Sequence, residues 1–335
     1  MALEQDDVET HIPVDEDDDD SAYGDDVLSD TTSIASTIYR HRFENGRRYH
    51  KYQEGSYWGP NDDLQNDQLD IAHHMLRVLL NGKLYLSPVQ DPQMVLDVGT
   101  GTGIWAIDFA DEHPEAEVVG VDLSPIQPEF VPPNCKFEVD DINAPWTYPE
   151  NYFDMVHVRC MFGSIDDWPN FYREVFDHLK PGGWIETLEM DIQFKADDGT
   201  CPPDHIQTIW SKTFIEAGEL RGKTFRNAFQ AKQWITDAGF EEVVQHRWKL
   251  PSGPWSSDPK LKELGNWNFL HCYQGAEGWG LFLLTNVLKW SLDEARVFIA
   301  KFRNSLKEKK THSYFEVVHV HARKPFSRPP GDAKP

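Results

Sequence analysis

The chain has 335 residues, 39% of them hydrophobic, with 12 Trp, 19 Phe and a formal charge of −24. That length buries a core as one large α/β domain or two small ones. The charge argues against direct nucleic-acid binding, because phosphates are repelled rather than neutralised, and no run of about 18 apolar residues offers a transmembrane segment.

Residues 1–30 hold thirteen Asp or Glu and no Lys or Arg. An acidic start is unlike a basic, apolar leader, so a protein of the cytoplasm, the nucleus or both is expected. Residues 1–37 are expected to be a disordered tail, serving either as a solvated repulsive segment or as a docking arm for a basic partner. The four cysteines form no CxxC pair, which disfavours a disulfide framework or a zinc knuckle.

Positive charge becomes dense in RHRFENGRRYHKY, residues 40–52, which suggests a solvated first helix. Downstream, Leu69, Ala72, Leu76, Leu79 and Leu80 recur at helical spacing. Asn66 or Asp67 is the expected N-cap of this covering helix and Gly82 its stop. Tyr57 and Trp58, just before it, are candidates either to close over a ligand or to pack as ordinary aromatics.

From Met94 short apolar runs alternate with helical stretches: MVLDV, IWAIDFADEH, EVVGVD, KFEVDD, FDMVHVR, WPNFYREVFDHL and GWIETLE. This alternation marks βαβ units around a parallel sheet. FEEVVQHRWKL and YFEVVHVHARK add two more strands, and residues 255–310 between them read as helical. The expected division is a tail (1–37), one domain (38–325) and a second tail (326–335). Within the domain, 38–90 is a helical cover, 93–190 a ligand-binding core, and 195–310 helical lid elements that include a strand at 240–250.

VLDVGTGTG, residues 95–103, ends a strand in an acid and a glycine-rich turn. A dinucleotide site needs G-x-G-x-x-G, and the position for its third glycine is Ile104. Here the third glycine comes early, at Gly103, so a pyrophosphate cradle is disfavoured. The next strand ends at Asp122, 122 − 103 = 19 residues on, where a carboxylate accepts from both hydroxyls of a ribose. KFEVDD ends in Asp140 and Asp141, either of which could meet an adenine amino group, or merely finish a strand or cap a turn.

Together these strand ends resemble the class I S-adenosylmethionine-dependent methyltransferases over Gln93 to Glu189, with LKPGGW (179–184) matching the turn before the fifth strand. The resemblance implies a Rossmann-like α/β fold: a seven-stranded, mostly parallel sheet with an antiparallel last strand. A helical N-terminal cover and a helical insertion before that last strand complete it. GTGTGIWAIDFADEHPEAEVVGVDLSPIQPEFVPPN and MFGSIDDWPNFYREVFDHLKPGGWIE are similar to the LaeA-like fungal regulators of secondary metabolism over most of residues 38–325. That likeness implies S-adenosylmethionine as cofactor and velvet-type or other regulatory protein partners, with a small metabolite or a protein side chain as methyl acceptor.

Carried onto this sequence, the backbone of Gly99, Thr100, Gly101 and Gly103 passes the methionyl arm and Asp97 orients its ammonium, directly or through water. Asp122 holds the ribose; Leu123, Asp141 and Ile142 frame the adenine. Arg159 orients substrate or braces the loop, and His157 beside it reads most simply as a satisfied core residue. No catalytic residue is assigned, because an activated sulfonium asks mainly for alignment and exclusion of water. The Asn/Asp-Pro-Pro-Tyr/Phe tetrad of nitrogen methylases is replaced by VRCMF. His73-His74 and His319-x-His321 have no acidic or Cys companions at ligand spacing, so no metal is expected. The rival reading is a regulatory subunit that keeps the fold as a platform for partners.

Overall fold

The computed structural model describes residues 41–53 and 55–326. The expected acidic tail and all but the first residue of the expected C-terminal tail lie outside them.

Seven strands form the central sheet: β3 (Met94–Val98), β4 (Glu117–Asp122), β5 (Cys135–Val139), β6 (Phe153–Arg159), β7 (Leu179–Lys195), β8 (Glu241–Pro251) and β9 (Tyr314–Arg323). Their order is β5-β4-β3-β6-β7-β9-β8. The first five are parallel, and β9 runs antiparallel to both β7 and β8. This is the expected Rossmann-like sheet. Val95, Leu96 and Val98 of β3 are buried, as are Val118, Val119 and Val121 of β4 and Met155, Val156 and Val158 of β6. Strands covered on both faces require such uninterrupted apolar runs. The neighbours of β3 leave it in opposite directions along the chain, so a crevice opens at its carboxyl end, where α/β sheets bind ligands.

The chain before the sheet departs from expectation. Residues 41–52, the described part of that stretch, are not a helix: β1 (His41–Glu44) and β2 (Arg47–His50) form an antiparallel hairpin. Its turn is Asn45-Gly46, with φ of 51° and 81°, the pair that favours a two-residue hairpin turn. The basic cluster is also not wholly solvated. Arg47 is buried and grips Asp62 through Nε at 2.6 Å and Nη2 at 2.8 Å.

Asp62 also caps the covering helix α1 (Asp63–Leu79), accepting the Gln65 N–H at 3.1 Å. The helix therefore starts a turn before the expected cap at Asn66 or Asp67. It stops where expected, with Gly82 at φ +83° donating its N–H to the Arg77 carbonyl at 2.7 Å.

Two further helices flank the sheet: α2 (Ile104–Glu112) follows β3 and α3 (Trp168–His178) follows β6. A third, α5 (Ala231–Asp237), buries Ala231 and Ile235 in the same core as α3 and β6, while the lid segment comprises α4 (Ile206–Arg221), α6 (Pro259–Phe282) with a π turn at Leu283–Val287, and α7 (Leu292–Ser305). Trp210 of α4 stacks on Phe302 at 4.0 Å and Phe298 at 5.4 Å. Lid side chains share one core with α1 and with Leu188, Met190, Phe194, Phe315 and Val317 of the sheet. Among the described residues, no helix is long and apolar enough to cross a membrane.

Candidate active site

A cleft of about 1070 Å³, partly open to solvent, lies over the carboxyl ends of β3, β4 and β6. Its floor is the glycine loop. Gly99, Gly101 and Gly103 have φ of +68°, +58° and +81°, a region that side chains avoid. A Cβ on Gly99 would strike Met161, and one on Gly103 would strike the Phe137 ring. The spacing thus answers to backbone conformation and to neighbours pressed against the turn.

Asp97 and Asp122 hold that turn from two sides. Asp97 is buried; its carboxylate accepts the Thr100 hydroxyl at 2.6 Å and pairs with His157 Nδ1 at 2.7 Å. His157 lies flat on Trp105, with centroids 3.7 Å apart and planes within 1°, so it is a satisfied core residue, as its setting in an apolar run implies. Both carboxylate oxygens of Asp97 are thus engaged, and the side chain does not line the cleft. It braces the loop.

Asp122 does line the cleft. Its oxygens accept the N–H groups of Gly101 and Ser124, both at 2.9 Å. Burial nevertheless pushes its carboxyl up to about 6, against the pull of those donors. Such a carboxylate is short of hydrogen-bond donors, and a ribose diol supplies two.

Gly99, Thr100, Gly101, Leu123, Ile142 and Arg159 also line the cleft, whereas Gly103 and Asp141 do not. Gly103 acts from beneath, as the left-handed residue that opens α2. The acid that reaches the cleft from β5 is Asp140. Asp141 turns back to accept the Asn143 N–H at 3.0 Å and caps the turn. The family resemblance places Asp141 at the adenine; in the structure Asp140, the first residue past β5, lines the cleft in its stead, because the Asp141 carboxylate is taken up by the turn.

Arg159 donates to His73 Nδ1 at 3.2 Å. The opposite ring nitrogen of His73 lies 3.1 Å from Asp108, which also receives Arg77 at 2.7 Å. Nδ1 accepts, so Nε2 carries the proton, and burial together with Arg159 lowers the His73 pKa. His73 therefore ties the cover to the cleft wall. Cys160, next in sequence, sits at φ +56°, a strained conformation for a residue with a side chain. Burial pushes its thiol up to about 12, so it faces the cleft uncharged. Cleft residues that sequence reading missed are Asn61, Ser124, Asn143, Cys160, Met161 and Ser164; they sit on loops with no periodicity to single them out.

A second chamber, of about 480 Å³, lies under the lid. Eight of its twelve lining residues are Phe or Trp, and no acid is among them. Sequence neighbours divide between the two spaces: Tyr57 and Met161 line the cleft, Trp58 and Phe162 the chamber. The spaces therefore share a wall.

Residues 71–246 match the methyltransferase domain family. The chain belongs to that family. It is 41% identical over 304 residues to the methyltransferase pytC of Aspergillus terreus, covering 90% of this chain and 93% of that one. It is 38% identical to a secondary metabolism regulator of Cochliobolus heterostrophus, covering 84% of this chain and 94% of that one. The protein-methionine methyltransferase laeA of Emericella nidulans is 34% identical, over 84% of this chain and 76% of that one. The protein is thus a methyltransferase of the LaeA-related group, with S-adenosylmethionine as its cofactor.

Proposed function

We propose that this methyltransferase seats its cofactor in the cleft and passes the methyl group to a thioether, that of a methionine side chain, presented from the aromatic chamber. In this reading the backbone of Gly99 to Gly101 passes the methionyl arm and Asp122 holds the ribose. Leu123, Ile142 and Asp140 frame the adenine, and Arg159 with Cys160 borders the reacting end.

The observation that carries the acceptor is the absence of an available base around the chamber. His271 accepts the Gln68 amide at Nδ1, 2.6 Å away, and burial lowers its pKa to about 4. Burial pushes the Cys272 thiol strongly upward. A hydroxyl, amine or thiol acceptor must lose a proton, and nothing lining the chamber is placed to take it. A thioether has none to lose. Its sulfur lone pair forms the new S–CH3 bond as the donor S–CH3 bond breaks. S-adenosylhomocysteine leaves as a neutral thioether, and the positive charge passes to the product sulfonium. Aromatic faces favour such a cation by about 0.5–2 kcal/mol each. The name borne by the Emericella relative supports the same acceptor.

The test is incubation of the full chain with methyl-labelled S-adenosylmethionine in native cell extract, followed by mass spectrometry of labelled peptides. Label on methionine is expected. Label confined to an organic-soluble metabolite would replace the thioether with a small-molecule acceptor, the kind of product the pytC likeness accommodates. A second reading, a regulatory subunit acting through velvet-type or other protein partners, draws on the relative named a secondary metabolism regulator. It requires Asp122→Ala to leave the cellular phenotype intact.

A further inference from the structure

At the far edge of the sheet three imidazoles converge. His246 of β8 is the cross-strand partner of His319 on β9, and His321, two residues along, projects from the same face. One ring nitrogen from each lies within 4.8 Å of the others. Three imidazoles sharing a tetrahedral ion at 2.0–2.1 Å stand about 3.3 Å apart, so modest side-chain rotation closes the set. His319 is wholly buried and His321 nearly so.

Their nitrogens are arranged as ligands. The Nδ1 atoms of His319 and His321 are buried with no hydrogen-bond partner, and His319 Nε2, though within ion-pair distance of a carboxylate, makes no hydrogen bond either. Uncompensated burial of such a group costs about 1–3 kcal/mol, so two together ask for an occupant. His319 Nε2, the other ring nitrogen, lies 3.2 Å from Glu186 Oε1. A carboxylate behind one imidazole nitrogen, leaving the other free, is the usual support for a metal-binding histidine. Glu186 is itself fixed: Oε2 accepts the N–H groups of Leu86 at 2.9 Å and Ser87 at 2.6 Å. Trp248 and Trp184 flank the group at 5.8 and 5.7 Å from His246 and His321, giving it an apolar collar.

We propose that His246, His319 and His321 form a binding site for a divalent ion of the zinc class, with Glu186 as the carboxylate behind His319 and a water completing the tetrahedron. The site stands apart from the cofactor cleft, and none of its three ligands lines that cleft. It pins the antiparallel edge strands to β7 and, through Glu186, to the turn at Leu86-Ser87. Its function is structural: it fixes the edge from which the lid departs.

The test uses the untagged full chain prepared free of metal. Cobalt(II) should give the intense visible bands of a tetrahedral site, and zinc should displace it at one equivalent per chain. Zinc should also raise the thermal midpoint by several degrees. His246→Ala, at an exposed position, should keep the fold and S-adenosylhomocysteine binding while lowering zinc affinity at least about 100-fold. Glu186→Gln should lower it about 10–100-fold. The site is refuted if the chain takes up no zinc or cobalt under these conditions, or if zinc binding and the thermal shift survive His246→Ala and His321→Asn unchanged. Cofactor binding is read separately, so either failure leaves the methyltransferase reading untouched.

Discussion

Asp122 couples cofactor binding to pH. Its carboxyl lies near 6 because burial outweighs two backbone N–H donors. The ionised form is thus disfavoured in the fold, and the free protein loses stability from this group as pH rises from the ordinary carboxylate range through about 6. Ribose hydroxyls donate to the ionised form, so binding reverses the balance. S-adenosylhomocysteine affinity should fall as pH drops below about 6, with proton release on binding in that window. Calorimetry in two buffers of different ionisation enthalpy reads both effects, and a flat affinity between pH 7 and pH 5 would remove Asp122 from the ribose. Asp122→Asn should weaken binding about 10–100-fold, the worth of hydrogen bonds to a charged acceptor, and abolish the pH dependence. Gly103→Ala tests the loop. A left-handed residue with a Cβ costs about 1–2 kcal/mol, and here the Cβ also meets Phe137, so a denaturant midpoint lowered by about 2 kcal/mol or more is expected.

Among the elements, the first hairpin and the covering helix are joined at the helix start, where Arg47 grips Asp62 and Arg48 approaches Asp63 at 3.7 Å. Asp62 caps α1 and neutralises the buried Arg47. Asp62→Ala removes the cap, worth about 1 kcal/mol, and leaves a buried cation alone, for a total loss of about 3 kcal/mol or more. Asp62→Asn should restore the cap but not the charge pair, and urea melts of the two variants separate the contributions. This junction was hard to read because the pattern of positive charge around Arg47 is the pattern of a solvated surface, and its acidic partner stands beyond a loop. The Asn45-Gly46 turn was the available signal for the hairpin, outweighed there by charge. By contrast the sheet was legible, since buried parallel strands leave continuous apolar runs and the glycines and acids fall at their ends. The acid at the end of β5 was legible, but the resemblance assigns Asp141 to the adenine where Asp140 lines the cleft; which one faces it depends on the turn beyond Val139 that Asp141 caps. Of the imidazole group at the sheet edge only His319-x-His321 was visible; His246 meets His319 through pairing of strands separated by the whole of α6 and α7.

Over the molecule as a whole, lid and cover share one apolar core with β7, β8 and β9, and β3, β4 and β6 bury their faces in two others on either side of the sheet; because the continuous sheet joins all three, unfolding should be cooperative and sensitive to the cofactor. Ligand at a hundred times its dissociation constant adds about 2.7 kcal/mol. S-adenosylhomocysteine should therefore raise the thermal midpoint by several degrees, and Trp210→Ala, which empties the lid's aromatic stack, should lower it through a loss of about 3–5 kcal/mol. The wall between the two spaces carries a kinetic corollary. Tyr57 and Trp58, and likewise Met161 and Phe162, are consecutive residues facing opposite rooms, so whatever settles in the first positions the boundary of the second. Turnover then has a compulsory sequence: donor enters before acceptor, and methylated product departs before the spent donor. Inhibition by S-adenosylhomocysteine would be competitive against S-adenosylmethionine and noncompetitive against the acceptor, a steady-state signature written into four adjoining side chains.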